Sequence, residues 1–167
     1  MSGIEVIAAT LMAYAALSTG LPNPGKLPVI QEMTLCEIAN DYNRVPLETP
    51  CEEKSSGSFI GASYSLADGI LRYPKEIPVT SIRGKSFLLH ELTHYVQHMA
   101  LRARHPIMVE AFMSQPCFAG KFEPMAYGVQ FEWLREQGAN PFATIPIDQA
   151  LLTLVTTCRH DVADVDG

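Results

Sequence analysis

Two histidines and a glutamate interrupt an apolar run in the stretch FLLHELTHYVQ, residues 87–97, in the order His90-Glu91-x-x-His94. Residues four apart on an α-helix share a face one turn apart, so His90 and His94 can close their imidazoles on one cation. Glu91 is rotated by about 100° from His90, which leaves its carboxylate beside such a cation as a base instead of a ligand. Zinc suits this chemistry, because it accepts imidazole nitrogen and its catalytic sites combine three protein ligands with one open position. The bland alternative is a set of solvated polar residues on a helix face.

Two histidines leave a third ligand to be found. In the extended pattern H-E-x-x-H-x-x-G-x-x-H that ligand is a histidine, but here Gln97 holds the glycine position and Ala100 the final one. His98 stands one further turn along, and three ligands strung on a straight helix do not converge on a tetrahedron. It reads as a group behind the ligands or facing substrate, or as an exposed imidazole. Glu123 in FEPMAYGVQFEWL, Glu110 in MVEAFM and Glu132 are the acidic candidates, and Cys117 could ligate in principle.

These residues need elements to position them. Ile4, Ile7, Leu11 and Tyr14 recur at helical spacing and predict a core-facing first helix, ended by the loop STGLPNPGKLP. PVIQEM reads as a strand leading to Cys36, and residues 40–57 as irregular chain. Phe59–Ser65 and Ile70–Tyr73 flank Asp68-Gly69, a turn signal, and predict a β-hairpin. A long helix starts between Thr80 and Ser86 and runs to about Arg104, before His105-Pro106. Leu88 or Leu89, Leu92, Val96 and Met99 give it a core face, with the motif on the adjoining one. IMVEAFMSQ predicts a short helix, residues 122–136 another stopped by Gly138, and residues 148–158 a last helix capped by Asp148.

At 167 residues, with 47% hydrophobic and 18% charged positions, the chain fits a single domain spanning residues 1–167, without repeats. A net charge of −6 supplies no basic stripe for phosphates and argues against a nucleic-acid partner. The apolar run from Ile4 to Leu21 carries Glu5 and is too short and interrupted to span a bilayer, and no basic region precedes it as in a secretory leader. Cys36, Cys51, Cys117 and Cys158 lack C-x-x-C spacing. Pairing of Cys36 with Cys51, across a loop containing Pro46 and Pro50, and of Cys117 with Cys158 is the expectation, four reduced thiols the alternative.

HELTH on one helix and EPMAY on the next resemble the zincin metallopeptidases of the gluzincin type, in which H-E-x-x-H is completed by a downstream glutamate in E-x-x-A-D or E-x-x-x-D. The layout of LPNPGKLP, the cysteines, the hairpin, HELTHYVQ, and EPMAY followed by Gln130 is similar to small bacterial gluzincin-like proteins of unknown function, across roughly residues 5–137. The resemblance implies an α+β fold with a small sheet, an active-site helix and a following ligand helix. It implies His90, His94 and Glu123 as Zn2+ ligands and Glu91 as general base. Tyr127 stands where the family has aspartate, so it would give a ligand histidine a weaker hydrogen bond or none. Pro124 requires Glu123 to lie near its helix start, where the dipole favours the ionised carboxylate.

The implied activity is zinc-dependent hydrolysis of peptide bonds in a peptide or protein substrate. The expected setting is secreted or periplasmic, with the opening MSG replacing a removed leader, and the cytoplasm is the alternative. Tyr95, Tyr127, His98 and His105 are candidate donors to the developing oxyanion, and Ile70–Tyr73 a candidate sheet edge for an extended peptide. The alternatives are a non-catalytic zinc-binding or interaction module on the same scaffold, and a metal-free protein in which HELTH is coincidence.

Overall fold

The computed structural model describes residues 2–51, 61–106 and 118–145, without the side chains of Tyr42 and of residues 118–121. Among these residues the architecture is α+β, with five helices and a three-stranded mixed sheet. Helix α1 (Gly3–Thr19) begins in a capping box between Ser2 and Glu5 and ends at Gly20, whose φ of 67° only glycine adopts without strain. It buries Ile4, Ala8, Leu11, Met12, Ala15 and Ala16. No helix among the described residues is long and apolar enough to cross a membrane.

Strand β1 (Val29–Met33) matches the expected segment. It is followed directly by helix α2 (Leu35–Tyr42), where irregular chain was expected from residue 40. The overlooked signal is a second capping box, Thr34-x-x-Glu37, whose side chain and backbone bonds are all made. Cys36 on α2 is joined to Cys51, with the Cα atoms 5.8 Å apart, as expected. The Cys117–Cys158 pairing, the short helix of residues 107–115 and the last helix of residues 148–158 lie outside the described residues.

The hairpin is present in shorter form, with β2 (Ser63–Tyr64) antiparallel to β3 (Ile70–Pro74) and Gly69 at φ 72° in the turn. Phe59 and Ile60 lie outside the described residues. The assignment of Ile70–Tyr73 to a sheet edge is corrected by the strand order β1-β3-β2. β3 is central, parallel to β1 on its other side, and its residues from Leu71 to Pro74 are buried. The hairpin reading saw one partner of β3 and missed the parallel one, which a short apolar strand buried on both faces requires.

Arg72, only 8% exposed, ties this sheet together. Its Nη2 lies 2.7 Å from Asp68 Oδ2 in the turn and its Nε 2.9 Å from Asp41 Oδ2 on α2. The Arg72 hydrogen bond holds the Asp68 carboxyl at about 2, below the ordinary 3.8, against an opposing push from burial. A depressed folded value means stabilisation that is complete above the unfolded value and lost as pH falls from about 4 towards about 2. Asp68 is 40% exposed, so screening limits the contribution. Asp68→Asn should cost about 1 kcal/mol at neutral pH and nothing near pH 2. Urea melts of both proteins across that range check the convergence.

Helix α3 (Ile82–Arg104) starts at the Ser81 cap within the expected window and ends where expected. Leu88, Leu89, Leu92 and Val96 are fully buried, and α1 and α4 (Phe118–Glu136) pack against α3. α4 begins four residues earlier than expected and continues to Glu136, with Gly138 at φ 71° beyond it. Pro124 is therefore inside the helix. The placement of Glu123 at the helix start, and the dipole argument built on it, are corrected accordingly: proline in a helix interior costs a backbone bond but did not end this helix. Helix α5 (Pro141–Thr144) follows, capped by Asn140.

Candidate metal centre

Because α3 runs unbroken through the motif, His90 and His94 share one face, and their Nε2 atoms lie 3.1 Å apart. Glu123 reaches them from the second turn of α4. Its Oε2 is 3.2 Å from His90 Nε2 and its Oε1 3.2 Å from His94 Nε2. Among the described residues these three form the group of histidine, cysteine and acidic side chains able to hold a metal ion. At zinc–ligand distances of about 2.0–2.1 Å, ligand atoms at the corners of a tetrahedron are about 3.3–3.4 Å apart. The separation of the two imidazole nitrogens, and the reach of one carboxylate oxygen to each, are close to that spacing, and two imidazoles with one carboxylate suit zinc chemically.

The charges agree. Burial pushes the Glu123 carboxyl up, but hydrogen bonds from both histidines outweigh it and hold the acid well below its ordinary range. Burial pushes His94 down, and the Glu123 hydrogen bond with the charges of Glu91 and Glu123 more than reverses that.

Glu91 stands outside the ligand set, as its rotation on the helix requires. Its Oε2 accepts a 2.7 Å hydrogen bond from the backbone N–H of Tyr64 on β2. Burial raises its pKa, with His90 and His94 pulling it back down. Tyr64 also places its hydroxyl 2.7 Å from His98 Nδ1 and its ring 5.6 Å from that of Tyr95. The two-residue strand β2 is therefore fastened to α3 at three points beside Glu91.

The remaining candidates separate cleanly. His98 is 3% exposed and bound to Tyr64, so the exposed reading of it is corrected; it lies behind the site. Tyr95 donates its hydroxyl to Lys26 O at 2.9 Å, which occupies the donor an oxyanion would need. His105 is exposed at the end of α3, and Glu132 is exposed on α4. Glu110 and Cys117 lie outside the described residues. Tyr127 is the aromatic neighbour of the site, its ring edge-on to His90 at 4.5 Å between centroids. Burial first, then the charges of Glu123 and Glu91, raise its hydroxyl above the ordinary range, which keeps it a proton donor.

Three site residues escaped the sequence reading: two glutamines and Tyr64. Gln130 Oε1 lies 3.1 Å from His90 Nδ1, and Gln97 Oε1 lies 3.1 Å from His94 Nδ1. Both are buried, at 1% and 4% exposure. Spacing could have found them: Gln97 follows His94 by three residues, and Gln130 follows Glu123 by seven, so each shares a helix face with a ligand. Tyr64 carried no comparable signal. Neither a protein-family model, nor a curated protein, nor a solved structure matches this chain.

Proposed function

We propose that this protein is a zinc-dependent peptidase of the zincin type. One observation carries the reading: His90 Nε2, His94 Nε2 and the Glu123 carboxylate converge within 3.2 Å contacts while a fourth polar group, Glu91, is held beside them and not among them. A purely structural zinc site closes its coordination with four protein ligands and needs no adjacent base. Bound there, zinc would lower the pKa of a coordinated water towards about 7 and polarise a carbonyl.

The chain's own residues account for the rest. Tyr64 N–H fixes Oε2 of Glu91 and leaves its other oxygen to take a proton from the attacking water and return it to the leaving amine. Burial of that carboxyl, which raises its pKa, suits a group that must both accept and donate. Tyr127 is the candidate donor to the developing oxyanion. Among the described residues the outer strand beside the site is β2, not β3, and its Tyr64 N–H is already held by Glu91. The Cys36–Cys51 bridge supports a secreted or periplasmic setting, where such bonds persist.

Incubation of the zinc-loaded protein with a denatured, fluorophore-quenched protein substrate tests the proposal. Release of peptides that a chelator abolishes and added zinc restores is the expected result. A protein that holds zinc stoichiometrically and cleaves nothing is the non-catalytic module instead.

A further inference from the structure

We propose that Gln97 and Gln130 are positioning residues that hold the Nδ1–H of both ligand histidines, so that Nε2 is in each ring the nitrogen that faces the ion position and gives up its proton to a metal. This rests on the reading of His90, His94 and Glu123 as ligands.

The assignment follows by elimination from groups whose roles are not in doubt. A backbone carbonyl can only accept a hydrogen bond. Gln130 approaches Ser86 O at 3.0 Å, and Gln97 approaches Phe122 O at 3.2 Å, so each glutamine must turn its NH2 towards that carbonyl. Each amide oxygen is then left facing a histidine Nδ1, at 3.1 Å in both cases. An amide oxygen is also acceptor-only, which requires Nδ1–H as the donor. Nε2 is then the nitrogen that shares its proton with Glu123 in the metal-free site and is bare once the ring is neutral or an ion displaces that proton. Both Nε2 atoms lie in the trio with Glu123.

The bracing also runs between helices. Gln130 sits on α4 and makes both of its contacts to α3, while Gln97 sits on α3 and anchors to the α4 carbonyl just before Glu123. Docking α4 on α3 therefore sets the tautomers and delivers the third ligand in one event. The position that an acidic partner could have filled, Tyr127, gives His90 a ring contact, so a neutral amide one turn later holds the ring. A neutral partner orients the imidazole without adding charge to the site.

The test compares wild type with Gln97→Met and Gln130→Met, which keep length but cannot hydrogen-bond in this way. Long-range 1H–15N spectra of the zinc-free proteins, at a pH where the rings are neutral, report each tautomer. Zinc affinity is measured by competition with a chromophoric chelator. Wild type should show Nδ1–H at both His90 and His94. Gln130→Met should release His90 alone and Gln97→Met His94 alone, each weakening zinc binding about 10–100-fold. A merely structural role would disturb both rings together. Nε2–H at either ring of wild type, or unchanged affinity in both variants, overturns the proposal. A wild type that binds no zinc but keeps both Nδ1–H tautomers would sink the ligand reading and leave the glutamine assignment standing.

Discussion

Glu91→Gln should retain its zinc and lose hydrolysis by about 10²–10⁴-fold, the range that a positioned general base contributes. The substitution keeps the shape of the side chain, and its amide oxygen can still accept from Tyr64 N–H, so β2 should stay in place. What disappears is the capacity to take a proton at the free oxygen. On the proposed reading the metal stays, because the three side chains that could hold it are His90, His94 and Glu123. Turnover at the wild-type rate in a metal-loaded Glu91→Gln protein would remove Glu91 from the chemistry. Loss of metal along with turnover would make it a ligand.

The second large effect concerns folding of the helix that carries the motif. Gly84, in the first turn of α3, packs so closely that a Cβ there would run into the carbonyl oxygen of Pro78 and come within 2.5 Å of the Tyr73 hydroxyl. Pro78 O is backbone, and Tyr73 is 1% exposed with its hydroxyl bound to Ile77 O, so neither can move aside freely. Overpacking of about 1–3 kcal/mol should exceed the helix-propensity gain of about 1 kcal/mol in Gly84→Ala, and Gly84→Val should be worse on both counts. Gly128, in α4, has nothing within 4 Å of the same hypothetical atom. Gly128→Ala should therefore stabilise by up to about 1 kcal/mol. Thermal melts read the two opposite signs; stabilisation by Gly84→Ala would contradict the close approach that seats α3 on the sheet.

Much of this was legible in the sequence for identifiable reasons. The i, i+4 spacing of His90 and His94 makes their convergence a property of the helix alone, and the caps and apolar rows placed α1, α3 and the end of α4. The meeting with Glu123 depended on tertiary packing and was reached through resemblance and not through spacing. Where local rules misled, a longer-range contact had won. Pro124 suggested a helix start, but α4 continues through it. Asp68-Gly69 announced the antiparallel partner of β3, yet a turn signal is silent about β1, which joins from some forty residues away in parallel register. The amide braces share helix faces with the ligands but went unread, because glutamine at an apolar position is usually read as surface, and it is the burial of Gln97 and Gln130 that gives them a role.

The measurement that tests the central claim most directly is zinc content by elemental mass spectrometry, on wild type and Glu123→Ala purified side by side without a metal-affinity tag. The two-helix site predicts about one zinc per chain in wild type and a sharp loss in the variant, since two histidines on one helix remain. Equal zinc in both proteins, or none in wild type after reconstitution, would contradict it.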